Sequence, residues 1–352
     1  MEEHPRTVFI IGASGAIGRR LVAYLCANNV RVIAAIRKTA LPSSLSEYIH
    51  GGLLLQQFDV DVRDESTLDK AFATHPTIDA VWMLAAPLSI ESARNPEKAE
   101  DVVIGGLRRL LSVMGRCGVH RICFSDSIGS YGSDAPRIGC TARWLIDHPE
   151  QDPGSVYGSQ KRKCRHMMKK WVDENEQRSS RFAIIPGVLH TDDSWGDGTT
   201  EYVLEALKAA AYGTKYVCPI ALDQTLPMVM RDDLVHGLYF LTFASESQIQ
   251  EPQGGYAIAG LSFTPKELFR EIHKIVPTFV WEIDENAASN PANIFASLWP
   301  DALSKIEAAR DLEFLAQTIS LSTIIRKILD AWRKRRVVVE QEDGEIESES
   351  KM

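Results

Sequence analysis

One stretch constrains this chain more than any other: Val8-Phe9-Ile10-Ile11-Gly12-Ala13-Ser14-Gly15-Ala16-Ile17-Gly18, an apolar run, a glycine-rich turn and the start of an amphipathic segment. The apolar run reads as a buried strand and Ala16–Asn28 as a helix. The three glycines do different jobs. Gly12 permits the tight turn, Gly15 lets backbone approach a pyrophosphate, and Gly18 allows the helix to pack closely on the strand. Ser14, Gly15, Ala16 and Ile17 then bring backbone N–H groups to the positive end of a helix dipole, where phosphate oxygens bind. Three glycines alone are a weak signal. Set between a strand and a helix, they specify a dinucleotide-binding turn.

The rest of the first half agrees with that start. Short apolar runs at Val8–Ile11, Val30–Ile36, Leu53–Phe58, Ala80–Leu84, Arg121–Ser125 and Arg181–Ile185 alternate with helix-like stretches at Ala16–Asn28, Ser66–Thr74, Pro96–Cys117 and Pro153–Gln177. Buried strands separated by helices predict an α/β fold with a doubly wound parallel sheet of Rossmann type. After Pro186 come Gly-rich turns, a helix near Glu201–Tyr212, short strands at Tyr216–Cys218 and Tyr256–Ile258, and helices from Pro265 to Trp332. The expected organisation is a Rossmann domain over 1–190, a smaller mixed substrate-binding region over 191–336 with some segments able to return to the sheet, and an acidic disordered tail over 337–352. The basic run Arg333–Arg336 is expected to close the last helix.

Composition narrows the function. Of 352 residues 45% are hydrophobic and 24% charged, which is ordinary for a globular chain able to bury a large core. The net charge is 39 − 47 = −8, and Glu340–Met352 supply −5 of it, so no basic surface points to nucleic acid or an anionic membrane. The six cysteines show no zinc or redox spacing, and the nine histidines form no metal-ligand motif. Neither a signal peptide nor a membrane span is expected, which predicts a cytoplasmic protein with reduced thiols.

A second cofactor signal follows the second strand. An NAD-selective site carries an acidic residue about 20 residues beyond the glycines to bind the ribose 2′-hydroxyl. Here the sequence reads Ala34-Ala35-Ile36-Arg37-Lys38, two cations suited to a 2′-phosphate. NADP(H) is therefore favoured, with NAD(H) as the alternative. Asp61-Val62 would lie at the adenine, and Leu84-Ala85-Ala86 at the ribose and pyrophosphate.

Of the nine tyrosines only Tyr157 has a lysine four residues on, Lys161, which puts both on one helix face. Ser127 sits 30 residues earlier, just after an apolar strand, where ligand sites gather in such sheets. The three residues suit proton transfer to or from an alcohol. A free tyrosine titrates near 10, too high for a base at neutral pH, but a neighbouring ammonium and an oxidised nicotinamide favour phenolate. Tyr157 and Lys161 thereby serve both catalysis and cofactor binding, and Ser127 would hydrogen-bond the reacting oxygen.

The glycine turn, Phe124-Ser125-Asp126-Ser127-Ile128-Gly129-Ser130-Tyr131-Gly132 and Tyr157…Lys161 together resemble the extended short-chain dehydrogenase/reductases, a superfamily that includes nucleotide-sugar epimerases and dehydratases. The C-terminal half resembles most the short-chain type of L-threonine 3-dehydrogenase, in Gly196–Tyr202, Leu226–Asp233, Gly260–Pro265 and Trp299-Pro300. The resemblance implies that Ser89, Thr199, Thr200 and Trp299 line an amino-acid site, with Ser127 and Tyr157 at the reacting carbon. It also implies that Pro186-Gly187-Val188 meet the nicotinamide amide, and that a homodimer pairs the Pro96–Cys117 and Pro153–Gln177 helices. Read without the resemblance, the two threonines would be a helix cap and Trp299 core. The chain departs from the family pattern at Arg37-Lys38, Asp126, Gln160, Asp197 and Leu298. The expected activity is an NADP(H)-linked interconversion of a secondary alcohol and a ketone, on a threonine-like 3-hydroxy-2-amino acid or its 3-keto counterpart. The alternatives are a nucleotide-sugar epimerase or dehydratase, which needs cations for a diphosphate, and a non-catalytic NADP-sensing regulator.

Overall fold

The computed structural model describes residues 6–349 except 76, 193–195 and 197, with side chains to Arg336. Twelve strands are described: β1 (Thr7–Ile11), β2 (Arg31–Ala35), β3 (Leu54–Gln57), β4 (Ala80–Met83), β5 (Arg121–Ser127), β6 (Ser179–Ile185), β7 (Gly187–Leu189), β8 (Tyr216–Cys218), β9 (Leu226–Met230), β10 (Gly255–Ala257), β11 (Leu261–Phe263) and β12 (Trp281–Ile283). Seven form one sheet in the order β10-β6-β5-β4-β1-β2-β3, every pair parallel. Alternate residues face opposite helix layers. Phe9, Ile11, Val81, Met83, Ile122 and Phe124 face one core, against the helices Glu65–Thr74, Gly106–Arg116 and Val156–Asp173. Val8, Ile10, Val32, Ala34, Trp82 and Cys123 face the other, against Ala16–Ala27 and Arg231–Phe243. This is the doubly wound α/β fold that the apolar runs predict.

Strand order reverses between β1 and β4, which opens a crevice at their C-terminal ends. Gly12 sits in that crevice at φ 87°, and a Cβ there would come within 2.8 Å of the Ala85 amide nitrogen. Only glycine combines that backbone conformation with so close an approach. The helix Ala16–Ala27 starts at Gly15 without any side-chain cap, so its first N–H groups still face the crevice.

Several expectations need correction. The stretch Pro96–Cys117 is three segments: Pro96–Glu100, a π turn over Asp101–Gly105, and Gly106–Arg116. The adjacent Gly105 and Gly106 weaken regular helix there. The helix expected over Pro153–Gln177 runs only from Val156 to Asp173, because Gly154 is left-handed at φ 67° and the Ser155 hydroxyl caps it by accepting from the Gly158 amide at 3.1 Å. Past residue 190 one segment does return to the sheet, as the expected organisation allowed. β10 covers the open edge of β6, and Arg231–Phe243 packs on Ala16–Ala27.

The last helix runs Leu321–Glu349, through the segment whose composition suggested a disordered tail. Its Glu and Gln residues are good helix formers, and apolar Val337–Val339 join it to the preceding turns without a break. The basic run therefore lies within the helix, where the Arg335 guanidinium covers the Trp332 ring at 5.0 Å. Beyond the main sheet, β11-β9-β7 form a mixed three-stranded sheet and β12 pairs β8 in parallel.

Candidate active site

β5 delivers Ser127 to the C-terminal edge of the sheet, and the helix Val156–Asp173 lays Tyr157 and Lys161 beside it. The junction is tight. A Cβ on Gly158 would overlap the Gly129 carbonyl oxygen and reach within 2.5 Å of the Pro153 Cβ, so the helix start and the short turn Ile128–Ser130 meet backbone to backbone. The Ser127 hydroxyl accepts from the Gly129 amide at 3.1 Å. The buried Lys161 ammonium donates to the Ser125 carbonyl oxygen at 2.6 Å and lies 5.3 Å from the centre of the Tyr157 ring. One cation thus braces the strand and stands behind the phenol.

A single cavity collects most of the residues singled out from sequence. Ala16, Ile17, Leu84 and Ala86 line it beside Tyr157, Lys161, Pro186 and Val188, and Ser89, Ser127, Thr199, Thr200 and Trp299 line the remainder. The Thr pair does not cap the following helix, whose N-cap is Glu201 with no side-chain bond. Instead the Thr199 and Ser89 hydroxyls meet at 3.2 Å inside the protein. Ser89 follows β4 and Thr199 follows β7, 110 positions later in the chain, and the two share this wall.

The remaining cofactor candidates lie along the crevice and beyond it. Arg37 and Lys38 are exposed just past β2. Asp61, past β3, accepts from the Arg63 guanidinium at 2.6 Å; that bond, with Arg37 nearby, holds its carboxyl down at about 2. Val62 packs its side chain into the core, while its carbonyl oxygen accepts from Arg109 at 3.3 Å. Asp197 lies outside the described residues.

The sequence reading missed three contributors. Arg165, one helical turn past Lys161, is buried against Asp126. Its signal was the repeated four-residue step Tyr157, Lys161, Arg165 on one face. Glu201 lines the cavity next to the two threonines. His190 also lines it, just beyond β7. Next to it Asp192 accepts from Arg19 at 2.5 Å and from Arg231 at 2.9 Å, and Arg231 donates to the Ala16 carbonyl oxygen at 3.2 Å, so the C-terminal region is tied to the helix Ala16–Ala27. Burial would raise the Asp192 carboxyl, yet hydrogen bonds from Arg231 and Arg19 hold it at about 2.

His190 carries a testable pH dependence. Burial, then the charge of Arg231, pushes it down from 6.5 to about 4. The folded protein keeps it neutral where the unfolded chain takes up a proton. Stability present above pH 6.5 is therefore lost as pH falls towards 4, by at most about 3 kcal/mol. Urea denaturation at pH 7 and pH 4.5 should show a loss that is smaller in His190→Gln; equal losses in both proteins would place its origin elsewhere.

Comparisons with known proteins agree with this geometry. The family model described as "NAD dependent epimerase/dehydratase family" matches residues 8–245. An uncharacterized epimerase/dehydratase of Staphylococcus haemolyticus is 26% identical over 315 residues, 87% of this chain and 92% of the relative. Among solved structures, a GalE-like L-threonine dehydrogenase from Cupriavidus necator in its holo form superposes with a TM-score of 0.78 at 26% identity, covering 93% of this chain and 99% of that one. A UDP-glucose 4-epimerase from Thermotoga maritima, solved with UDP-glucose, shares the fold with a TM-score of 0.75 at 18% identity, over 94% of this chain and 99% of that one.

Proposed function

Because the chain belongs to the NAD dependent epimerase/dehydratase family, whose members act with a nicotinamide cofactor on small molecules, we propose that it is an NADP(H)-linked oxidoreductase interconverting a secondary alcohol and a ketone. The substrate class in this reading is a threonine-like 3-hydroxy-2-amino acid or its 3-keto counterpart. The observation that carries it is the convergence of Ser127, Tyr157 and Lys161 in one cavity with the uncapped helix after Gly15. The turn fits a dinucleotide, since the helix after Gly15 has no side-chain cap and leaves its first N–H groups for a pyrophosphate, while a bare Gly12 lets the turn lie against the Ala85 backbone.

When bound, the nicotinamide supplies the acceptor or donor of hydride. The protein's own part is proton transfer and positioning. In oxidation, the Tyr157 oxygen takes the proton of the substrate hydroxyl, and in reduction it returns one to the ketone oxygen. Lys161 sets its ammonium 5.3 Å from the centre of the Tyr157 ring, beside the group that exchanges the proton. The Ser127 hydroxyl holds the reacting oxygen and orients its carbon. Pro186 and Val188 would border the nicotinamide amide. Ser89, Thr199 and Thr200 would hydrogen-bond the substrate's polar groups, with Trp299 as the apolar wall.

A nucleotide-sugar substrate fits less well. Over residues 182–269 the cations are Lys208, Lys215, Arg231 and Lys266, and none is among the described residues lining the cavity. Arg231 is bound to Asp192, and Lys215 to Glu282.

The test is reduced-nicotinamide absorbance with L-threonine and related 3-hydroxy amino acids, offered with NADP⁺ or NAD⁺. Absence of turnover across that panel would sink the substrate class, activity with a UDP-sugar would favour the epimerase reading, and cofactor binding without any turnover would favour a sensor. For cofactor choice, Arg37→Asp with Lys38→Ala should weaken NADP⁺ binding about thirtyfold while leaving NAD⁺ within about threefold. Parallel losses for both cofactors in a fluorescence titration would show that neither cation meets a 2′-phosphate.

The same reading places the protein in the cytoplasm as a homodimer. All six cysteines are free, and among the described residues no helix is long and apolar enough to cross a membrane. Light scattering should return twice the chain mass.

A further inference from the structure

We propose that Asp126 and Arg165 are a positioning pair for Ser127, locking the turn that carries its hydroxyl onto the helix that carries Tyr157 and Lys161. The inference rests on the assignment of those three residues made above.

Asp126 sits one residue before Ser127 at the end of β5, and its side chain has 0% exposure; that of Arg165 has 2%. One carboxylate oxygen takes the Arg165 guanidinium. The other accepts from the Ser127 amide at 2.8 Å and from the Ser130 hydroxyl at 2.5 Å. Asp126 therefore ties together the backbone of Ser127, the end of the short turn that follows, and the catalytic helix.

The charges explain why all parts are needed. Arg165 and Lys161 are two buried cations one helical turn apart on the same face. A guanidinium cannot shed its proton, so burying it requires a partner anion. Asp126 is that anion, and its ionised form is what can accept three hydrogen bonds at once. A buried ion pair is weak evidence for stability and better explained by fixing one geometry. Here the geometry that it fixes is the distance between a hydroxyl and a phenol that must reach the same oxygen. These bonds engage both carboxylate oxygens of Asp126, which suits it to holding the turn in place.

The experiment compares Arg165→Gln, Arg165→Lys and the neutral double variant Asp126→Asn/Arg165→Gln with the wild type. In Arg165→Gln, kcat should fall about tenfold while cofactor affinity stays within about twofold. Arg165→Lys, which keeps the charge, should recover most of that loss. In a Ser127→Ala background Arg165→Gln should cost nothing further, because the pair acts through Ser127. Hydrogen exchange should rise about tenfold in the peptide covering residues 127–130 and stay unchanged in β1 and β4.

The neutral double variant strands no buried charge and stands in wherever Arg165→Gln fails to fold. A kcat within twofold of wild type in a folded variant, an additive loss in the Ser127→Ala background, or exchange that rises throughout the sheet would overturn the proposal. The exchange measurement needs no substrate. A wild type without turnover would therefore count against the assignment of the active site, while the exchange result would still decide whether the pair holds the Ser127 turn.

Discussion

Replacing Tyr157 by Phe should lower kcat by about a thousandfold while leaving cofactor binding within about twofold. Positioned general acid–base groups contribute roughly 10²- to 10⁴-fold, and no other hydroxyl is held on the same helix face as Lys161. The phenol ring would stay in place, since it packs against the turn at Gly129, where a Cβ would come within 3.0 Å of it. Removal of one oxygen therefore tests chemistry and not folding. The measurement is steady-state kinetics on whichever alcohol or ketone the wild type turns over, with a fluorescence titration of NADP⁺ alongside. A variant that keeps a tenth or more of wild-type kcat would remove Tyr157 from proton transfer.

A substitution at the opposite end of the site should have a comparably large effect through packing. Gly18→Ala would place a Cβ on top of the Gly12 carbonyl oxygen and within 2.8 Å of the Ala13 Cα. Both neighbours are backbone of the turn itself, so neither can rotate away. The helix must shift, at a cost of about 3 kcal/mol, and the shift opens the cradle in which Gly15 and the first helix N–H groups would meet a pyrophosphate. Urea denaturation should show the lost stability, and cofactor affinity should fall at least tenfold. Wild-type values for both would mean that this helix packs less tightly than the backbone contacts imply.

Much of the fold is legible because its signals are local. The apolar runs mark β1 to β6 to within a residue or two, since a strand buried on both faces must be continuously apolar. The parallel sheet follows from the alternation of those runs with helices. Less legible are features set by a single backbone conformation or by long-range pairing. The left-handed Gly154 shortens the helix that carries Tyr157 and Lys161, the π turn over Asp101–Gly105 interrupts another, and β10 leaves its sequence neighbourhood to cover β6. Three residues of strand carry too little pattern to announce which edge they join.

The candidate site divides in the same way. Gly12, Gly15 and Gly18 are readable because their spacing is itself the chemistry, and Tyr157 and Lys161 because residues four apart share a helix face. Ser89 and Thr199, 110 positions apart, show no relation until the fold brings their hydroxyls to 3.2 Å. Asp126 was visible only as an odd residue beside Ser127; its partner on another element gives it a role. His190 and Asp192 likewise gain meaning from Arg19 and Arg231, which approach from two different helices.

The sequence by itself determined the glycine turn, the class of the sheet and the Tyr157–Lys161 pair on one helix face, since each depends on neighbours a few positions apart. Only the tertiary structure decided which side chains share the cavity, that the two threonines face it instead of capping a helix, and that a buried ion pair stands behind Ser127. Those outcomes depend on contacts between elements far apart in the chain, where burial and charge balance, not spacing, select the partner.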